Sequence, residues 1–231
     1  MDLFVIIGHC EISISFESFA HIETDLFING QTLYDIILYL KVNKMKITYF
    51  EKEGEDYTDE LIAAVKERLD ESEEIENIVI ASATGKSALK LYDAINGDAD
   101  IINVTHHSGF KEENTLDISE EMLDKLGEKG IVTFVGCHAF SGANRGVTNK
   151  YGGFAPLDIV SDTLRMISHG VKVACEISVM AADAGLIPVG DKIIAIGGRG
   201  SGVDTAVILT PVNAKDLFNL KIHEIIAMPK D

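Results

Sequence analysis

Apolar positions along the chain follow two periods in turn, and the clearest change from one to the other lies at residues 77–95. Ile78, Val79 and Ile80 form an unbroken β-branched run, the pattern of a strand buried on both faces. Ala88, Leu91, Tyr92 and Ile95 then recur at i, i+3, i+4 and i+7, one face of a helix. Between them lies a turn of small and hydroxyl residues, Ser82-Ala83-Thr84-Gly85-Lys86-Ser87. A helix that starts there leaves its first N–H groups unpaired and aimed at the end of the strand. The sequence thus predicts an anion site, with Lys86 adding charge and the hydroxyls adding donors.

The same alternation runs through the rest of the chain from Met45 onward. Residues 46–50 read as a strand and 54–57 as a turn; Thr58 is expected to cap a helix with Leu61, Val65 and Leu69 on one face. Residues 70–76 read as an acidic, solvated connector. A strand at 100–105 leads into Thr105-His106-His107-Ser108-Gly109-Phe110, and a helix at 119–129 stops at Gly130. A strand at 131–135 runs into the loop 136–146. Pro156 opens a helix expected to last until Gly170, and Val173, Ile177, Met180 and Ala184 predict a second, buried helix. Strands at 192–196 and 205–210 flank the glycine loop 197–202, and residues 221–227 form a last strand. Helices alternating with strands argue a doubly wound, mostly parallel sheet. The last strands have no crossover helices between them, so antiparallel pairing is expected there.

Residues 1–44 fit no single period for long, although residues 33–40 have the spacing of a short helix. The functional domain is expected at 45–231, with 1–44 either an extra strand and helix packed on it or a poorly ordered extension or mistaken start.

Composition narrows the class. A formal charge of −17 without any Lys/Arg run argues against nucleic acid as a partner. Three cysteines (Cys10, Cys137 and Cys175) form no CxxC pair, so a reducing cytoplasm is the expected setting. No apolar run is long enough to span a bilayer, and the first residues lack the basic start of a signal peptide.

Open α/β sheets bind ligands beyond the carboxyl ends of their strands. Four predicted strand ends carry Lys86, Lys111, Arg145 and Arg199 in an otherwise acidic chain, together with His106, His107 and His138. Magnitudes restrict the ligand. A helix dipole contributes up to about 2 kcal/mol to a bound phosphate, and each charged hydrogen bond roughly 1.5–3 kcal/mol before association costs. Phosphate alone would then bind near millimolar, about 4 kcal/mol. Tighter binding needs apolar contact, for which Phe110, Phe140, Tyr151 and Phe154 lie in or near the same loops. The expected partner is therefore a phosphorylated planar small molecule. Gly85-Lys86-Ser87 is only half of a P-loop, because the position of its first glycine is Ile80. Adjacent histidines on a strand point to opposite faces, so His106, His107 and His138 are expected to be ligand or structural contacts, with no metal site. Glu176 and Asp183, on the buried helix, each read as either a paired structural carboxylate or a tuned acid–base group.

The stretch ASATGKSA at 81–88 resembles the C-terminal α/β domain of pyruvate kinase, where a hydroxyl-rich turn at a helix start holds a phosphate of a sugar bisphosphate effector. The match is closer to the free-standing proteins similar to that domain, found mainly in archaea. It is carried by THHSGFKE at 105–112, HAFSGANRG at 138–146, YGGFAP at 151–156, EISVMAADAGLIP at 176–188 and DTAVILTP at 204–211. The resemblance covers residues 45–231 and not the first 44.

It implies a three-layer αβα sandwich on a mostly parallel five-stranded core sheet with an antiparallel edge. It does not imply pyruvate kinase activity, whose catalytic barrel has no place in these residues. It implies flavin mononucleotide (FMN) as ligand, with phosphate at Ser82, Thr84, Gly85, Lys86 and Ser87. The ring would lie near Thr105, His106, His107, Gly109 and Phe110, and near His138, Ser141 and Arg145. A flavin carrier or small oxidoreductase is the first expectation. A sugar-phosphate-sensing module and a phosphohydrolase or phosphotransferase are the alternatives. The resemblance also makes a homo-oligomer plausible.

Overall fold

In a computed structural model, the structure describes residues 46–231 other than 72 and 73, and four short strands before them. The chain divides into two compact units, Met1–Met45 and Lys46–Asp231. In the first, β1 (Leu3–Ile7) pairs antiparallel with β2 (Cys10–Ile14), and β3 (Phe27–Ile28) with β4 (Gln31–Thr32). The helix expected at residues 33–40 lies outside the described residues.

The second unit is built on one sheet of seven strands: β5 (Thr48–Phe50), β6 (Asn77–Ala81), β7 (Asp100–Thr105), β8 (Val132–Val135), β9 (Ile193–Gly197), β10 (Thr205–Thr210) and β11 (Lys221–Pro229). Their spatial order is β5-β11-β10-β9-β6-β7-β8. β9, β6, β7 and β8 pair in parallel, as do β11 and β5. The antiparallel pairings gather toward one side, where β10 runs against both β9 and β11. β6 to β10 are five spatially contiguous strands; the count rises to seven because β11 pairs with β10 and β5 completes the edge beside it.

The unit carries six α-helices, α1 (Thr58–Asp70), α2 (Lys86–Ile95), α3 (Glu120–Glu128), α4 (Gly142–Tyr151), α5 (Pro156–Arg165) and α6 (His169–Asp183); α1, α2, α3 and α6 pack on the sheet, and α5 packs on α6. Alternation along the strands sends side chains to two cores. Ile78, Ile80, Ile194 and Ile208 join Leu61, Val65, Leu91 and Leu126 of α1, α2 and α3. Val79, Ala195 and Val207 face the other way, onto Val171, Ala174 and Ile177 of α6. The result is the expected three-layer αβα sandwich.

Several boundaries differ from the pattern reading, each for a local reason. Thr58 is the first residue of α1 rather than its cap; the Asp56 carboxylate accepts both its N–H (3.1 Å) and its hydroxyl (2.6 Å). Residues 156–170 are not one helix, because Ser168 caps α6 by accepting the Val171 N–H at 3.0 Å. Gly170 thus lies inside α6, where a Cβ would fall 2.1 Å from Thr205 Oγ1, so the helix can cross β10 this closely only with glycine there. Helix α4 starts inside the loop expected at 136–146, where Gly142 and Gly146 both weaken the helical pattern.

Candidate functional site

The β6–α2 turn is held rigidly by its own polar groups. Ser82 is buried, its N–H donates to the Val104 carbonyl (3.1 Å), and its Oγ accepts the Ser87 N–H (3.1 Å). From β7, the Thr105 hydroxyl donates to the Ala83 carbonyl at 2.7 Å. Gly85 has φ +80°, and a Cβ there would come within 2.6 Å of Met122 Cγ on α3. Its glycine is therefore required by backbone and packing together. The turn leaves the N–H groups of Thr84, Lys86 and Ala88 without an acceptor among the described residues. Thr84 and Lys86 are exposed, and Lys86 makes no ion pair among the described residues. Free N–H groups at a helix start, beside a free ammonium, form an anion cradle.

At the neighbouring strand end the structure gathers four rings. His106 stacks on Phe110 with centroids 3.8 Å apart. His138 lies 5.6 Å from both His106 and His107 and 5.3 Å from Phe110. The His106 ring is held in place, with Nδ1 2.6 Å from Asp117 Oδ2, and Lys111 Nζ reaches the same oxygen at 3.1 Å. The hydrogen bond from His106 lowers the Asp117 pKa, and Lys111 lowers it further against the opposing effect of burial. Asp117 is a member of this cluster that sequence reasoning missed. It stands eleven residues after His106 in a loop without periodicity, so no spacing signal marked it.

Behind His138, Glu176 is the paired structural carboxylate of the two alternatives, whereas Asp183 is exposed at the end of α6 and accepts the Ala214 N–H at 3.1 Å. Lys172 and Glu176 of α6 form a buried ion pair, and Glu176 also accepts the Phe140 N–H at 2.8 Å. Burial lowers the His138 pKa, with neighbouring Glu176 acting in the opposite direction. Phe140, counted among the aromatic candidates, is itself buried in the α6-side core. Tyr151 and Phe154 are largely exposed. The Gly142 N–H donates to the His138 carbonyl at 2.9 Å, which ties the start of α4 to the cluster. Ser141 precedes α4, and Arg145 is exposed in its first turn without an ion pair among the described residues.

The structure brings together His106, His107, Phe110 and His138, with Thr105 linking them to the turn that carries Ser82, Thr84, Gly85, Lys86 and Ser87. Gly109, with φ +81°, turns the loop between His107 and Phe110. The glycine loop at residues 197–202 is devoted to packing instead. Arg199 pairs with Glu53 (2.8 Å), the Val203 N–H donates to Thr58 Oγ1 (3.2 Å), and the Gly54 N–H donates to Asp204 Oδ2 (3.2 Å).

Cys137 and Cys175 are free thiols; burial pushes Cys175 up to about 12, and no hydrogen bond joins Cys137 to His138 among the described residues. No described group of three or more His, Cys, Asp and Glu side chains is arranged to hold a metal ion, and no described helix is long and apolar enough to cross a membrane. A separate cleft of about 550 Å³ sits at the opposite, N-terminal ends of β6 and β7. Asp70, Glu76, Asp98 and Asp100 line it, so it repels the anions that the cradle attracts.

The family model of the pyruvate kinase alpha/beta domain matches residues 59–209. That stretch covers well over half of the chain and contains β6 to β10, so the chain belongs to this family. The strands β5 and β11 lie outside the match.

Proposed function

We propose that this chain binds flavin mononucleotide, with phosphate on the β6–α2 turn and the isoalloxazine ring against the cluster at the ends of β7 and β8. One observation carries this reading: an anion cradle and a patch of stacked rings sit at adjacent strand ends, joined by the Thr105–Ala83 hydrogen bond of 2.7 Å. A sugar phosphate would use the cradle and leave the rings without a partner. A flat aromatic ligand without phosphate would use the rings and leave the free donors unpaired. A phosphorylated planar molecule uses both.

In this reading the N–H groups of Thr84, Lys86 and Ala88, the hydroxyls of Thr84 and Ser87, and the Lys86 ammonium hold the phosphate. Ser82 and Gly85 shape the turn that presents them. Phe110, His106 and His138 offer stacking surface, His107 closes one side, and Ser141 and Arg145 present a hydroxyl and a cation to the ring's polar edge. Bound flavin would supply redox chemistry, and the chain would serve as a flavin carrier or a small oxidoreductase. A reducing cytoplasm suits its free thiols.

The visible absorption spectrum of the purified protein, with mass analysis of what heat releases, tests this. Flavin bands and one mononucleotide per chain are expected. A colourless protein that added flavin mononucleotide neither binds nor stabilises would overturn the reading. Stabilisation by sugar phosphates instead would favour a sensing module.

A further inference from the structure

His106 has two ring nitrogens in different circumstances. Nδ1 lies 2.6 Å from the Asp117 carboxylate, whereas Nε2 has no partner among the described residues, and the side chain is 29% exposed. A carboxylate that accepts from Nδ1–H fixes the neutral tautomer whose lone pair is on Nε2. Asp117 is held as the carboxylate by His106 and by Lys111 at 3.1 Å. A base, an orienting group and a ring-lined seat thus occur together, which is the arrangement a general base requires.

We propose that His106, oriented by Asp117, is a general base that takes a proton from, and returns it to, a flat conjugated substrate bearing an acidified C–H or O–H and seated against Phe110 and His138. The proposal rests on the reading of these rings as a seat for a planar molecule, and it does not need the phosphate turn. In the step, Nε2 bonds the proton, the substrate keeps the electron pair of the broken bond, and the imidazolium charge is balanced by Asp117. The charged and titratable groups facing His106 are Asp117 and Lys111 from its own loop, and His107 and His138, with Lys172 and Glu176 behind the latter. A merely structural role, clasping the loop from 106 to 117, would need the hydrogen bond but not the free Nε2.

5-Nitrobenzisoxazole tests this without flavin. A base removes its ring C–H, the electrons form a nitrile, the N–O bond breaks, and a coloured phenolate leaves, so atoms and charge balance. Flavin-free protein is expected to exceed imidazole at equal concentration by about a hundredfold, the low end of what a positioned base contributes. His106→Gln should return the rate to background while the thermal melt stays cooperative. Asp117→Asn should lower the rate about tenfold and move the midpoint of the pH–rate profile, which a loss of loop anchoring alone would not do. A rate no better than imidazole, or one unchanged in His106→Gln, overturns the proposal. Inhibition by added flavin mononucleotide would locate both ligands on one seat. Activity that depends on His106 in a protein that does not bind flavin would sink the flavin reading and leave the base standing.

Discussion

Glu176 and Lys172, one turn apart on α6, pair inside the protein at 2% and 4% exposure, and the second Glu176 oxygen accepts the Phe140 N–H at 2.8 Å. One carboxylate thereby joins the buried helix to the backbone two residues beyond His138. A pair placed this deep has lost its hydration and gains stability only if every polar atom is matched. Removing one partner leaves a buried charge with nothing to offset it. Glu176→Ala should therefore destabilise the protein by about 3–5 kcal/mol. Lys172→Met combined with Glu176→Leu should recover most of that loss, since an apolar pair of similar volume carries no desolvation penalty. Urea melts of the single and double variants check this. A double variant as unstable as Glu176→Ala would mean that the Phe140 contact, not the charge pair, accounts for the effect.

Gly85 tests the turn from its rear face. Its φ of +80° strains any other residue, and a Cβ would meet Met122 Cγ at 2.6 Å and Leu126 Cδ1 at 3.0 Å. A left-handed conformation costs a non-glycine residue about 1–2 kcal/mol, and overpacking a core adds about 1–3 kcal/mol. Gly85→Ala is expected to lower stability by the sum, about 2–5 kcal/mol. A denaturant midpoint close to that of the parent would show that α3 moves aside at little cost.

The layers and the order of elements were legible because they depend on local periodicity. Ile78 to Ile80 and the 3.6-residue spacing from Ala88 to Ile95 mark β6 and α2 without tertiary context. What the pattern missed depends on pairing at a distance. Lys172 reads as an interruption of an apolar helix until Glu176 and Phe140 are placed beside it. Asp117 lies in a loop whose only signal is its contact with His106. The loop around Arg199 has the same glycines and positive charge as the ligand loops, so pattern alone does not separate it from them. Its partner Glu53 lies far away in sequence, and the pair joins the loop to the start of the sheet. Boundaries failed where a side chain competes for a helix end, as Asp56 does at Thr58 and Ser168 does at Val171.

Stability should fall as the medium becomes acidic, in two separate windows. Burial lowers the pKa values of His138 and His169, so the fold favours their neutral forms. That contribution is fully present above the unfolded value of about 6.5, and it is lost as pH falls through the lower folded values. Asp117 acts further down: its lowered pKa gives stability present above about 3.9, lost as pH falls through the folded value. Asp204, raised by burial, works the other way, and its contribution is lost as pH rises through its folded value. Melting temperatures between pH 7 and pH 5 should decline, and His138→Gln should flatten part of that decline. A His138→Gln profile parallel to the parent's would assign the loss to His169 or to another group.

Lys86 separates ligand binding from folding more cleanly than any other position in the turn. Ser82 and Gly85 are buried and hold the turn together, so changing either alters the cradle itself. Lys86 is exposed and makes no ion pair among the described residues, so its truncation removes charge and little else. Lys86→Ala should leave the melting curve of the ligand-free protein within the range of ordinary surface changes, about 0.5 kcal/mol. Its affinity for flavin mononucleotide should drop roughly 10- to 100-fold, the equivalent of losing one charge-assisted hydrogen bond of about 1.5–3 kcal/mol. Its affinity for riboflavin, which has the ring but no phosphate, should not change. Fluorescence titration of both ligands against both proteins gives the four constants. A Lys86→Ala variant that loses riboflavin and flavin mononucleotide equally would place the lysine at the ring, and unchanged affinity for both would move the phosphate away from this turn.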